Sequence, residues 1–197
     1  MINNLKKFVL ASSFVAIATG SSAGDYPSPV PLMDGAQAPM SSISPKNEKY
    51  RIAYMPPATE FNYYIAIGEG IKAVGAEAGV DVFMLAPQSG ADINGQMGMI
   101  QDVLTQDVDA IIFGTHDEFA AAPLLKKAVD QGVAVLMINS DIPNFPTPIH
   151  GVVGYSQRNG THAIADWAIE KYGDQKLKVG IIEGQPGYHS TERVGGF

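Results

Sequence analysis

The residues best suited to handle a small molecule fall at four places. Tyr63 and Tyr64 stand side by side in TEFNYYIAIGEG, residues 59–70. Two adjacent rings are either core or the wall of a ligand cleft. GTHDEF (114–119) holds His116, Asp117 and Glu118; a carboxylate there either accepts hydrogen bonds from neighbouring hydroxyls or caps the helix that follows. INSD (138–141) offers Asn139, whose amide both donates and accepts, with Ser140 and Asp141 after it. Last comes GYHSTERVGGF (187–197), with Tyr188, His189 and Thr191. This is equipment for holding a ligand. A catalytic set is not legible: there is no G-x-S-x-G elbow and no phosphate-binding P-loop. GEGIKA (68–73) imitates a dinucleotide motif but sits inside a helical repeat. His116, His150, His162 and His189 lack metal-ligand spacing. No enzyme, no metal and no cofactor is expected.

Those residues must be positioned by the elements around them. From Tyr50 onward, short apolar runs alternate with helical repeats. YRIAYM (50–55) reads as a buried strand, followed by a helix with Tyr64, Ile67, Ile71, Val74 and Ala78 at helical spacing. VDVFMLA (80–86) is a second strand, and Ile93, Met97, Ile100 and Leu104 mark a second helix. DAIIFG (109–114) precedes a third helix carrying Leu124, Leu125, Ala128 and Val129, where Pro123 is tolerable only in the first turn. VAVLMI (133–138) and HGVVGY (150–155) are the fourth and fifth strands. Ile164, Trp167, Ala168 and Tyr172 stripe a fourth helix, and LKVGIIEG (177–184) reads as a sixth strand. Strict alternation with continuously apolar strands predicts α/β class, a doubly wound parallel sheet with helices on both faces. In such sheets ligands sit beyond the carboxyl ends of the strands. All four candidate groups follow strands there.

Ahead of this body lie two other segments. Lys6 and Lys7, the largely apolar run Phe8–Thr19 and the small residues Ser21 to Ala23 form the pattern of a secretory signal peptide, residues 1–23. The run is too short to span a bilayer. Residues 24–49 hold five prolines and no periodicity, and read as a Pro-rich linker or arm. The chain has no cysteine, so disulfides, cysteine metal sites and a lipid-bearing cysteine at the cleavage site are excluded. Loss of the two leader lysines takes the formal charge from −7 to −9, which disfavours nucleic acid and anionic membrane surfaces as partners. An exported, periplasmic protein is expected.

The ordered series YRIAYMPPATEFNYYIAIGEG, DINGQMGMIQDVLTQDVDAIIFGTHDEF, AVDQGVAVLMINSDIP, GVVGYSQRNGTHAIADWA and KVGIIEGQPGYHSTERVGGF resembles the type I periplasmic sugar-binding proteins of ABC transporters, the ribose- and galactose-binding proteins among them. The likeness runs from Tyr50 to Phe197. It implies two α/β lobes joined by crossing segments, with ligand clamped between them. On that pattern residues 50–155 are the N-terminal lobe, and 156–197 are the crossover and the start of a second lobe, incomplete here. The resemblance also implies that an aromatic residue at Tyr63 or Tyr64 stacks on a sugar ring, whose C–H face suits an aromatic one.

Two positions depart from the family pattern. Asn139 stands where an acidic residue usually bonds sugar hydroxyls, and still suits a neutral polyol. Thr191 stands where the ribose-type pattern has an arginine that clamps ring oxygens, with His189 and Tyr188 as possible substitutes. The expected ligand is therefore small, polar and sugar-like, held by Tyr63, Tyr64, Asp117, Asn139, Ser140, Asp141, His189 and Thr191. The expected partner is the membrane permease of an ABC transporter, the receptor itself being a monomer. The alternative is a ligand sensor that signals to a membrane kinase or chemoreceptor, with the Pro-rich arm as a contact. A cytosolic repressor of the related fold would need an N-terminal helix-turn-helix where the signal peptide stands.

Overall fold

The computed structural model describes residues 37–139, 145–184 and 186–197. The leader, the first half of the arm (residues 24–36), Ser140 and Asp141 lie outside the described residues. Five strands form one sheet: β1 (Arg51–Met55), β2 (Asp81–Met84), β3 (Ala110–Phe113), β4 (Ala134–Ile138) and β5 (Gly151–Val153). Their order is β2-β1-β3-β4-β5 and every pairing is parallel. Ile52 lies beside Ala110 and Ala110 beside Ala134, so the carboxyl ends of the central strands finish level. The chain steps outward from β1 to β2, then crosses back to place β3 on the other side of β1. That reversal opens a crevice at the carboxyl ends of β1 and β3.

Period-two alternation divides the core between the two faces. Ala53, Met55, Ile111, Phe113, Val135 and Met137 point to one side. There they meet Ile100, Val103 and Leu104 of α2 (Ile93–Leu104) and Ala121, Leu125 and Ala128 of α3 (Glu118–Asp130). Tyr54, Ile112 and Ile138 point to the other side, under Tyr64, Ile67 and Ile71 of α1 (Asn62–Glu77). Gly68 is why α1 lies so close: a Cβ there would sit 2.8 Å from Cε1 of Tyr54. The GEG glycine thus serves helix–sheet packing rather than a phosphate.

Four expectations are corrected. Val74, assigned to the buried stripe of α1, is exposed, and Gly75 occupies the buried position beside Val82. Pro123 is the sixth residue of α3, not in its first turn. The hydrogen bond it cannot make falls to the carbonyl of Phe119, a residue 73% exposed, so the loss is on the solvent side. The stripe on α4 (Gln157–Tyr172) is exposed at Ile164, Trp167 and Tyr172, because α4 packs on α5 (Tyr188–Gly196) rather than on the sheet. The supposed sixth strand, 177–184, is unpaired chain, with Ile182 fully exposed. A strand needs a neighbour to satisfy its backbone, and among the described residues none lies beside this one.

The described end of the arm, residues 37–49, runs along the sheet. Ala38 N–H donates to the Ile149 carbonyl and Ser44 N–H to that of Gly132. Asp109, just ahead of β3 and 5% exposed, accepts from the N–H groups of Lys46 (2.6 Å), Asn47 (3.2 Å) and Arg51 (2.8 Å) and from Asn47 Nδ2 (2.9 Å). Burial alone would raise its pKa; these hydrogen bonds outweigh that and hold it below the ordinary carboxylate range. The arm is therefore anchored at the amino ends of the strands, opposite the crevice. Among the described residues no helix is long and apolar enough to cross a membrane.

Candidate functional site

The loops at the carboxyl ends of β1, β3, β4 and β5 converge on one open pocket of about 790 Å³. Gln96 holds two of them level. Only 1% exposed, it donates from Nε2 to the carbonyls of Pro56 (3.0 Å) and Gly114 (2.7 Å), and its Oε1 accepts from Thr115 Oγ1 (3.1 Å). Sequence reasoning passed over Gln96, since a polar residue between apolar helix positions looks solvent-facing. A buried amide that satisfies two backbone carbonyls becomes visible only once those loops are neighbours.

On the sheet side the wall is made by Phe61, Tyr63, Tyr64, His116, Asn139 and Tyr155. Tyr63 and Tyr64 diverge. Tyr64 is 7% exposed and packs into the α1 core, whereas Tyr63 is 53% exposed. Their rings meet edge to face at 5.2 Å, and Asn139 joins their hydroxyls. Tyr63 OH donates to Asn139 Oδ1 at 2.7 Å, and Asn139 Nδ2 donates to Tyr64 OH at 2.9 Å. Burial raises the pKa of both phenols; for Tyr64 the Asn139 hydrogen bond pulls back against it. Both therefore keep their protons at neutral pH. Asn139 adopts φ of +68°, a left-handed conformation that Asn tolerates better than most residues. It ends β4 and turns its amide toward the two rings.

Asp117 takes the helix-capping role. Its Oδ1 accepts from Ala120 N–H at 2.9 Å, at the start of α3, and His116 beside it lines the pocket. His116 Nδ1 lies 3.1 Å from the Gly90 carbonyl, fixing the ring against the β2–α2 loop. The opposite wall comes from residues 179–184 and from α5, including His189, Ser190 and Arg193. His189 reaches across to His116, ring centroids 5.9 Å apart, and contacts Gln157 of α4. Thr191 is exposed and is not among the lining residues. The structure thus gathers Tyr63, Tyr64, Asn139 and His189 about one pocket and leaves Asp117 and Thr191 off its walls. Tyr155, Ser190 and Arg193 were missed: Tyr155 becomes a neighbour of the tyrosines only through the pairing of β5 beside β4, and Ser190 and Arg193 only through the turn of α5 back toward the sheet.

Comparisons with known proteins bear on the fold and the family. The chain is 28% identical over 170 residues to a D-ribose/D-allose-binding protein of Pseudomonas aeruginosa, covering 81% of this chain and 52% of that one. Among solved structures it resembles a glucose-galactose binding protein from Geobacillus stearothermophilus (TM-score 0.67, 25% identity, 77% of this chain and 53% of that one). It shares its fold with a Burkholderia graminis solute-binding protein in complex with D-arabinose (TM-score 0.68, 23% identity, 77% and 51%). The chain spans about half the length of the curated relatives it matches. Residues 52–197 match the sequence model of the periplasmic binding protein domain, and the chain belongs to that family.

Proposed function

We propose that this protein is a periplasmic solute receptor. It binds a small sugar or sugar-like ligand in a cleft between two lobes and delivers it to the permease of an ABC transporter. One observation carries the reading: the hydrogen-bonded chain Tyr63–Asn139–Tyr64 on the wall of the pocket at the carboxyl ends of the strands. It combines an exposed aromatic ring with fixed donors and acceptors, which is what a ring with an apolar face and a polar edge requires. The names of the relatives support the substrate class, one for ribose and allose and another for glucose and galactose. Residues 50–155 form the N-terminal lobe and 156–197 lead into the second. Ligand bridging the sheet-side wall and the α5 wall would draw them together as a hinge closure.

The test is thermal shift of the purified full chain against pentoses, hexoses, polyols and their acidic derivatives. A ligand at a hundredfold excess over its Kd stabilises by about 2.7 kcal/mol, or roughly 5–10 °C in this size range. A shift with one member, lost in Asn139→Gly, is expected. A panel in which no sugar or derivative shifts the transition refutes the reading.

A further inference from the structure

The α5 wall is chemically unlike the tyrosine wall. Ser190 is 8% exposed and lines the pocket, yet its Oγ has no hydrogen-bond partner. A buried hydroxyl without a partner is costly and calls for one. Ser190 stands in the first turn of α5, a nine-residue helix whose N-cap, Gly187, has no side chain to cap it. The first N–H to close onto a helical carbonyl is that of Thr191, which donates to Gly187. The Ser190 N–H precedes that bond and has no intrahelical acceptor. Gly187, at φ of +143°, adopts backbone open to glycine alone. A Cβ there would sit 3.4 Å from the His116 carbonyl, so the turn brings this helix end against the sheet-side wall. One turn further along, Arg193 lines the same pocket, with Nη2 3.4 Å from Tyr155 OH.

A helix N-terminus, an unpartnered buried hydroxyl and a guanidinium together favour negative charge. Among the described residues the sheet-side wall carries no carboxylate, and Glu183, on the exposed segment 177–184, is the one acidic residue of the lining. We propose that the α5 end of the pocket receives an anionic group, so that the ligand is an acidic sugar with a carboxylate. Its hydroxylated part faces Tyr63, Asn139 and Tyr64. Its carboxylate meets the Ser190 N–H and Oγ–H and the Arg193 guanidinium. This rests on the receptor reading above and narrows it.

The experiment is calorimetric titration of the full chain with D-galacturonate and D-gluconate, each beside its neutral parent, D-galactose or D-glucose, and with glucose 6-phosphate. The expected result is at least tenfold tighter binding of a sugar carboxylate than of its parent. Arg193→Gln should weaken carboxylate binding by about ten- to a hundredfold and weaken binding of the neutral parent by far less, so that the preference for the carboxylate collapses. Ser190→Ala should raise the melting temperature of the unliganded protein while weakening carboxylate binding, a split that a merely structural serine would not give. Circular dichroism confirms that both variants fold. Equal or tighter binding of the neutral parent overturns the inference and leaves the sugar-receptor reading standing. Tighter binding of glucose 6-phosphate than of either carboxylate overturns the carboxylate assignment. Binding of no member overturns the inference, and the receptor reading falls with it only when the pentose, hexose and polyol panel gives no thermal shift either.

Discussion

Asn139 does two separable things, and a pair of substitutions separates them. Its backbone is left-handed at φ of +68°, and its amide bridges Tyr63 and Tyr64 at 2.7 and 2.9 Å. Asn139→Gly removes the amide and relaxes the backbone; Asn139→Ala removes the same amide and places an ordinary Cβ in a left-handed residue. The lost hydrogen bonds are common to both, about 0.5–1.5 kcal/mol each in net terms and less for the exposed Tyr63. The left-handed backbone costs alanine about 1–2 kcal/mol. Asn139→Ala should therefore be the less stable of the two by about 1–2 kcal/mol, or roughly 2–8 °C in melting temperature. Ligand affinity should fall equally in both, since the pocket loses the same amide. Urea unfolding gives the stability difference and titration with the cognate ligand gives the affinities. Equal stability of the two variants would refute the backbone argument. Ligand affinity retained in both would refute the placement of Asn139 on the binding wall.

Other expectations follow from single contacts. Gln96→Leu leaves the Pro56 and Gly114 carbonyls without their donor in a buried place, and should cost about 2–4 kcal/mol in denaturant unfolding; an unchanged midpoint would sink that account. Gly68→Ala presses a methyl against the Tyr54 ring and should destabilise by about 1–3 kcal/mol, seen as a lower melting temperature with an unchanged m-value. The arm should loosen in acid. His150 accepts the Val135 N–H at Nδ1 (2.9 Å), and its Nε2 faces Ser42 Oγ (3.0 Å). Burial pushes its pKa down, so the unfolded chain takes up the proton first. Stability is full above about pH 6.5 and is lost as pH falls below it. Asp109, with its depressed pKa, adds a further loss as pH falls below about 4. The protection factor of the Asn47 amide, its exchange rate corrected for the intrinsic pH dependence, should drop as pH falls across the first window in the native protein and stay flat there in His150→Gln.

The sheet was legible because it is written in local chemistry. Continuously apolar runs such as AIIF and AVLMI, separated by helical repeats, cannot be satisfied except by parallel strands buried on both faces. That pattern also put Tyr63, Tyr64 and Asn139 at strand ends, where loops must leave the sheet. The family resemblance rests on the same runs. Sequence alone could not choose between faces or partners. Val74 fits the helical period as well as Gly75 does, yet α1 approaches β2 so closely that only the glycine fits against Val82. LKVGIIEG carries every mark of a strand, but a strand exists only through a neighbour's hydrogen bonds. Asp117 could cap or bind, and the start of α3 took its carboxylate. The pocket's second wall depended most on tertiary structure. Ser190 and Arg193 lie more than 120 residues from Tyr63 in the chain, and only the packing of α5 toward the carboxyl ends of the strands makes them one site.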